Sequence, residues 1–309
     1  MRVLVILNPF ANHHQAVGES TSVEMALSEA GLEYEIVSTQ SRGHAKGLAA
    51  SASGYDAVVA AGGDGTVNEV VNGLLSVAGE GQSQPLGILP LGTGNDFSDM
   101  AGLPRDLTAA AEIIARGNTR QIDAGEASFA ESSGSSDGEE HWQRRYFDNS
   151  CGVAMEPSVA LEVERMTHLS GNIRYIVGML RGYIKLKAWQ MEIHWDGGCI
   201  ESPTLLLSVA NTPRTGGVFN VAPHASLDDG LFDVVFAPDM PKLEVLTILP
   251  RLFKGSHINH KKITTLRTTR LWIKSEPGTP LHVDGELVSE SATIVNYQML
   301  PGKITLLSR

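Results

Sequence analysis

The sequence predicts a chain of two parts: a doubly wound α/β domain with a parallel sheet, followed by a domain rich in antiparallel β-strands. In the first part, short apolar runs alternate with helix-like segments, which is the pattern of βαβ units. After Arg120, strand-like segments predominate and only two longer helical ones interrupt them. We place the first domain at residues 1–122 and the second at 123–295, and expect residues 296–309 to return to the first domain.

The elements of the first part follow from apolar runs and from the residues that end them. Buried strands are predicted at Val3–Leu7, Tyr34–Ser38, Ala57–Ala61 and Leu86–Leu91. Helices are predicted at Ser20–Ala30, His44–Ser51, Val67–Val77 and Thr108–Arg116.

The second part is predicted from alternating and β-branched segments. Its strands are expected at Arg145–Asn149, Gln190–Trp195, Thr204–Asn211, Leu231–Ala237, Thr264–Thr269, Arg270–Lys274, Pro280–Val283, Ala292–Met299 and Ile304–Leu307. Its two helices are expected at Gly171–Lys187 and Lys242–Phe253. The small, polar and acidic residues of Ala130–Glu140 predict a flexible hairpin tip.

Composition excludes several classes of protein. The chain has 309 residues and a net charge of −11, whereas nucleic-acid-binding proteins usually carry a basic surplus, so we expect no nucleic-acid partner. Cys151 and Cys199 cannot form a disulfide framework, which favours a reducing cytoplasm. The apolar run near Met1 is too short for a signal peptide or a membrane span, so contact with lipid would be peripheral.

A glycine-rich turn follows the third predicted strand. Gly62, Gly63, Asp64, Gly65 and Thr66 separate this strand from a helix, and glycines there let the backbone approach a ligand while the helix N-terminus favours anions. Because a carboxylate beside phosphates would repel them, the turn predicts a nucleotide with Mg²⁺ between the two. A plain tight turn explains the same residues about equally well.

Other strand ends add candidates at the same edge of the sheet. Gly92, Thr93, Gly94 and Asn95 form a second glycine-rich turn, although Asn95 also suits a helix cap. Asn8 follows the first strand, and Thr39 and His44 follow the second, so these residues are further candidates. An Asn-Pro turn at Asn8 is common, and a lone His44 is more often an ordinary residue at a helix N-terminus than a catalyst.

Two Asp-Gly pairs in the second part are candidates for a cation site or for simple hairpin turns. They lie at Asp229-Gly230 and Asp284-Gly285, and the turn alone favours the hairpin in each.

Together these motifs resemble the diacylglycerol kinase catalytic-domain family, which includes bacterial diacylglycerol kinases, YegS-like lipid kinases and sphingosine kinases. The GGDGTVN, LPLGTGNDF and DGE segments occur in family order, with Asn8-Pro9 ahead of them. The resemblance implies an NAD kinase-like α/β domain, a C-terminal β-sandwich-like domain, and a lipid kinase that uses ATP and Mg²⁺. One alternative is an NAD kinase-like or other small-molecule kinase that has only the GGDGT segment in common with this family. Another alternative is a non-catalytic lipid or nucleotide sensor.

The resemblance also implies roles for individual residues. Glu286 would be the general base, and Asp64 would anchor the Mg²⁺ of the nucleotide. A structural Mg²⁺ would be held by Asp229 with the carbonyls of Ser226 and Leu231. Asp284 would support one of these sites. The residues implied to bind ATP are Asn8, Thr39, Gly62, Gly63, Asp64, Gly65, Thr66, Val67, Asn68, Thr93 and Asn95.

The first loop departs from the family pattern. Asn12 stands where the family has glycine, and no basic residue follows, so we hypothesise that His13 or His14 contacts phosphate instead.

An anionic membrane surface is the other expected partner. Residues Gly171–Lys187 form a basic amphipathic stretch that would lie on an anionic leaflet or, equally well, pack on the core with a solvated basic face. We expect a cytoplasmic protein at the inner face of the membrane. Whether it forms a homodimer is left open. Basic residues in the same half add positive charge, and they are Arg251, Lys254, Lys261, Lys262, Arg267 and Arg270.

Overall fold

The structure is a computed structural model that describes residues 1–11, 20–131, 141–158, 182–183 and 185–309. Predictions for His13, His14, nearly all of the hairpin tip and most of the 171–187 stretch lie outside these residues.

The first part is built from parallel strands joined by helices, as the sequence predicts. Its strands are β1 (Arg2–Leu7), β2 (Glu33–Ser38), β3 (Ala57–Gly62) and β4 (Leu86–Pro90), which lie in the order β2-β1-β3-β4. The helices are α1 (Ser20–Glu29), α2 (His44–Ala50), α3 (Asp64–Val77), α4 (Asp96–Met100) and α5 (Leu107–Arg116). Val58 packs on one face of this sheet and Val59 on the other, so both faces are covered and the carboxyl ends of the strands are left as the functional edge.

The second part is dominated by antiparallel strands. They are β5 (Thr119–Glu131), β6 (Trp142–Phe147), β7 (Ser150–Ala154), β8 (Trp189–Trp195), β9 (Gly198–Ala210), β10 (Phe232–Pro238), β11 (Thr264–Thr268), β12 (Arg270–Val283) and β13 (Glu286–Leu307). They are accompanied by helix α6 (Lys242–Leu252) and a 3₁₀ turn at Ser256–Asn259. The predicted fold class is confirmed.

Strand lengths differ from the prediction. The segments 270–274 and 280–283 belong to one strand, β12, and 292–299 and 304–307 belong to β13. Pro277, Pro280 and Pro301 lie where the ladders shift register, and these shifts accommodate the prolines without ending the strands. β5 and β7 are rich in small residues and carry no clear alternation, so the sequence pattern did not predict them.

β13 connects the two parts. It pairs antiparallel with β12 and β5 along most of its length. Near its end Leu306 pairs in parallel with Leu86 of β4. Its first residue is Glu286, so one strand runs from the DGE turn to the edge of the parallel sheet.

Candidate active site

Two glycine-rich turns lie against each other at the carboxyl ends of β3 and β4. A Cβ added to Gly63 would stand 3.1 Å from the Cα of Gly92, and one added to Gly92 would stand 2.5 Å from the Cα of Gly63. Side chains at these positions would therefore collide with the facing backbone. The result is a crevice lined by main chain, next to the N-terminus of α3, which suits a phosphate-bearing ligand.

Asn95 shapes the second turn from within. It adopts a left-handed conformation with φ of 55°, and its side chain makes no helix-capping hydrogen bond. Instead its Oδ1 accepts from the Gly92 N–H at 3.0 Å, and its Nδ2 donates to the Gly92 carbonyl at 2.7 Å. Asn95 thus fixes the backbone that faces Gly63.

Three other residues expected to bind nucleotide, Asn8, Thr39 and Val67, differ in their contacts and burial. The Asn8 Nδ2 donates to the Thr66 Oγ1 at 2.9 Å, which joins the first loop to the first turn of α3. The Thr39 N–H donates to the Leu7 carbonyl at 2.8 Å, which places Thr39 beside the end of β1. Val67 is only 1% exposed and packs in the core, so its backbone alone is available to a ligand.

Asp64 lies at the start of α3 between the two turns. Its Oδ1 accepts from the Phe97 N–H at 3.1 Å, and its Oδ2 would be 3.1 Å from a Cβ added to Gly94. Burial raises the pKa of this carboxyl, and the charges of Asp96 and Asp284 raise it further. This excess of negative charge is a setting that a divalent cation bound with a nucleotide would relieve.

Asp284 connects the DGE turn to both parts of the molecule. It has a φ of 46°, and its Oδ2 accepts from the Asn68 Nδ2 of α3 at 2.6 Å. Its oxygens also accept the N–H groups of Asp148, Asn149 and Ser150 at 3.0, 3.0 and 2.7 Å. Four N–H donors, one from α3 and three from residues 148–150, therefore hold the Asp284 carboxylate and its turn in one place.

Asp148 is a site residue that sequence reasoning missed. It is fully buried, and burial together with the adjacent Asp284 raises its pKa well above the ordinary value. Its Oδ1 accepts from the Asn68 Nδ2 at 3.3 Å. No motif marks Asp148, because its partners are distant in sequence.

Glu286 follows the DGE turn and faces the first part of the chain. Its Oε1 lies 2.7 Å from the Arg42 Nη2, and the two side chains are 40% and 70% exposed. The loop that carries Arg42 is held to α3, since the Gly43 and Ala45 N–H groups donate to the Glu69 carboxylate at 2.8 and 3.1 Å. Through these contacts, Glu286 is linked to α3 by way of the loop that carries Arg42.

A second bridge crosses between the parts beside α4. The Arg214 Nε lies 2.5 Å from the Asp96 Oδ1, and its Nη2 lies 2.6 Å from the Asp99 Oδ2. The Gly217 N–H also donates to Asp96 at 2.6 Å. Hydrogen bonds and charge from Arg105 and Arg214 lower the pKa of Asp99 to about 2.

The expected metal residues of the second part make other contacts. The Asp229 Oδ1 accepts from the Leu231 N–H at 3.1 Å, and its Oδ2 is paired with Arg267. The Ser226 Oγ donates to Asp228 at 2.8 Å. No group of three His, Cys, Asp or Glu side chains suited to a metal occurs in the described ranges. A guanidinium therefore already neutralises Asp229, and Mg²⁺ would have to replace it.

Family models that cover both parts of the chain identify a kinase that acts on an alcohol group. The diacylglycerol kinase catalytic domain matches residues 2–127, and the YegS C-terminal NAD kinase beta sandwich-like domain matches residues 150–308. The chain belongs to this family of diacylglycerol kinases and YegS-like kinases, and as a member it is a lipid kinase.

Individual relatives match along most of their length. The diacylglycerol kinase of Bacillus subtilis (strain 168) is 29% identical over 313 residues, covering 100% of this chain and 94% of the relative. That of Staphylococcus aureus (strain bovine RF122 / ET3-1) is 29% identical, covering 92% and 86%. A solved diacylglycerol kinase from Bacillus anthracis str. Sterne shares the fold, with a TM-score of 0.72, 22% identity, and coverage of 100% and 97%.

Proposed function

We propose that the chain transfers the γ-phosphoryl group of ATP, in an Mg²⁺-dependent reaction, to the hydroxyl of diacylglycerol or a related lipid. The observation that carries this proposal is the 2.6 Å contact between Asn68 and Asp284. This contact supports the proposal because it ties α3, which begins in the first glycine-rich turn, to the DGE turn. Phosphates and an acceptor hydroxyl would meet between these two turns. The nucleotide-binding residues implied by the resemblance remain part of the proposal, and the contacts of Asn8, Asp64 and Asn95 around the two turns support them.

Glu286 is the proposed general base. It would accept the proton of the lipid hydroxyl as the new O–P bond forms and the bond to ADP breaks. The ion pair with Arg42 is half-exposed, so a substrate can displace it at little cost. Asp64 would hold the Mg²⁺ that accompanies the nucleotide, and this ion would neutralise charge on the phosphates.

Glu286→Gln tests the base directly. This variant keeps the size of the side chain but cannot take up a proton, so we expect ATP binding to be retained and phosphoryl transfer to fall by about 10²- to 10⁴-fold. Labelled ATP with a panel of lipids, and mass detection of the product, measures turnover and identifies the acceptor. Near-parental turnover would refute the assignment of Glu286, whereas parental protein that labels no lipid would refute the proposed function.

We propose that Ser226, Asp229 and Leu231 bind Mg²⁺ only when the ion displaces Arg267 from Asp229. In Arg267→Gln, Asp229 loses its fixed cation, so we expect Mg²⁺ to raise the unfolding temperature more than it does in the parent. Thermal unfolding with and without millimolar Mg²⁺ measures the difference. The same Mg²⁺ response in both proteins would show that Asp229 holds no metal.

We also propose that the first domain ends at residue 122, that the second begins at residue 123, and that the end of the chain returns to the first domain. The pairing of Leu306 with Leu86 supports this return.

We further propose that the protein lies peripherally at the inner face of the membrane, since the lipid substrate resides there. Within the described residues, no helix is long and apolar enough to cross a membrane.

A further inference from the structure

We propose that helix α6 is the membrane-docking face of the protein, and that its partner is an anionic lipid surface. This inference rests on the proposed function, because it assigns the side from which the lipid substrate is taken. The exposed face of α6 itself lies outside the 171–187 stretch named from the sequence.

One side of α6 exposes large apolar side chains. Leu243 is 77% exposed, Leu246 is 45% exposed, and Phe253, immediately after the helix, is 57% exposed. With Pro250 they recur at three- and four-residue intervals, which puts them on one face. The opposite face is already used, since Val245, Ile248 and Leu252 are buried in the core of the second part.

Basic residues surround this apolar face. Lys242, Arg251 and Lys254 are exposed within or beside the helix, and Lys261 is exposed in the following loop. The nearby acid Glu244 is neutralised by Lys262 at 2.5 Å. Exposed leucine and phenylalanine edged by lysine and arginine match a leaflet with anionic headgroups better than they match a protein surface.

A cavity of about 310 Å³ lies behind the same region. Met155 and Leu186 line it, and both also pack against the cluster that holds α6. Pro280 of β12 forms another wall, and β12 ends at the DGE turn. The recess has both apolar and charged walls, because Lys185, Lys187 and Glu290 line it as well.

The test compares matched pairs of exposed apolar residues. Leu243→Ser/Leu246→Ser removes the α6 face, and Met25→Ser/Val77→Ser removes residues that are 54% and 61% exposed on helices of the first part. Co-sedimentation uses phosphatidylcholine vesicles with and without phosphatidylglycerol. We expect the parent to bind the anionic vesicles, the α6 variant to bind about 10- to 100-fold more weakly, and the control to bind as the parent does.

Charge is tested separately. Arg251→Gln/Lys254→Gln should weaken binding to anionic vesicles and flatten its dependence on salt, with no loss of folded structure by circular dichroism. Parental vesicle binding by the α6 variant, or an equal loss in the control, would overturn the inference. So would a dimer in analytical ultracentrifugation that the α6 variant abolishes, since a second copy would then cover the face. Vesicle binding is measured without ATP, so these results stand apart from any failure of catalysis.

Discussion

Asp64 is a single residue whose position in the candidate active site lowers the stability of the folded protein at neutral pH. Its folded-state pKa is raised above the ordinary value of 3.8, chiefly by burial, so the folded protein holds this proton more tightly than the unfolded chain does. The contribution of Asp64 to stability is therefore greatest below that value and is lost as the pH rises through the raised folded-state pKa. A carboxylate kept in such a place is expected to serve a ligand that supplies positive charge.

Asp64→Asn should raise stability at neutral pH. An amide keeps an oxygen that can accept from Phe97 but has no charge to desolvate, so we expect a higher unfolding temperature at pH 7 and no difference from the parent well below pH 3.8. Thermal unfolding across pH, without divalent cations, measures this. A variant that is less stable than the parent at pH 7 would contradict the assignment. Kinase activity should be lost.

Site residues that belong to local motifs could be predicted from the sequence. Contacts between residues distant in the sequence could not. The glycine turns were visible because strand, turn and helix are contiguous. The four donors to Asp284 come from Asn68 and from residues 148–150, which folding alone brings together. The pairing of Asp229 with Arg267 was missed for the same reason, as it joins positions on different elements.

At the scale of elements, the close approach of two turns makes glycine necessary at Gly92. In Gly92→Ala the new Cβ would stand 2.5 Å from backbone, so we expect a loss of about 1–3 kcal/mol in stability and weaker ATP binding. Gly47→Ala on α2 is the control, because nothing lies within 4 Å of its added Cβ, and alanine there should stabilise the helix by about 0.5–1 kcal/mol. Denaturant unfolding and nucleotide titration measure both. Unchanged stability and ATP affinity in Gly92→Ala would show that the turns move apart freely.

The same scale explains which strands the sequence could predict. β1, β3 and β4 are continuous apolar runs because both faces of a parallel sheet are buried. β12 and β13 contain prolines that favour breaks locally, yet long antiparallel neighbours continue the ladder past them. Tertiary pairing, which no local pattern contains, decided the lengths of these strands.

At the scale of the whole molecule, the cleft depends on how the two parts are held together. Polar bridges join them across the cleft: Asn68 to Asp284, Arg42 to Glu286, and Arg214 to Asp96 and Asp99. Of the two ion-pair bridges just named, that of Arg214 is the more enclosed, since the Arg214 side chain is 25% exposed and that of Asp96 only 7%. Ion pairs of this kind matter most when one partner is removed, because the other charge is then left buried.

Arg214→Gln should therefore destabilise the protein and loosen the cleft. With Asp96 left without its guanidinium, we expect a loss of about 3 kcal/mol, whereas Arg116→Gln, which removes an exposed pair with Glu112 on α5, should cost about 0.3–0.5 kcal/mol. Denaturant unfolding measures both, and ATP titration of Arg214→Gln should show weaker binding because the turn before α4 loses its support. Equal losses in the two variants, with ATP affinity unchanged, would mean that the β-strand ladders alone hold the two parts in register.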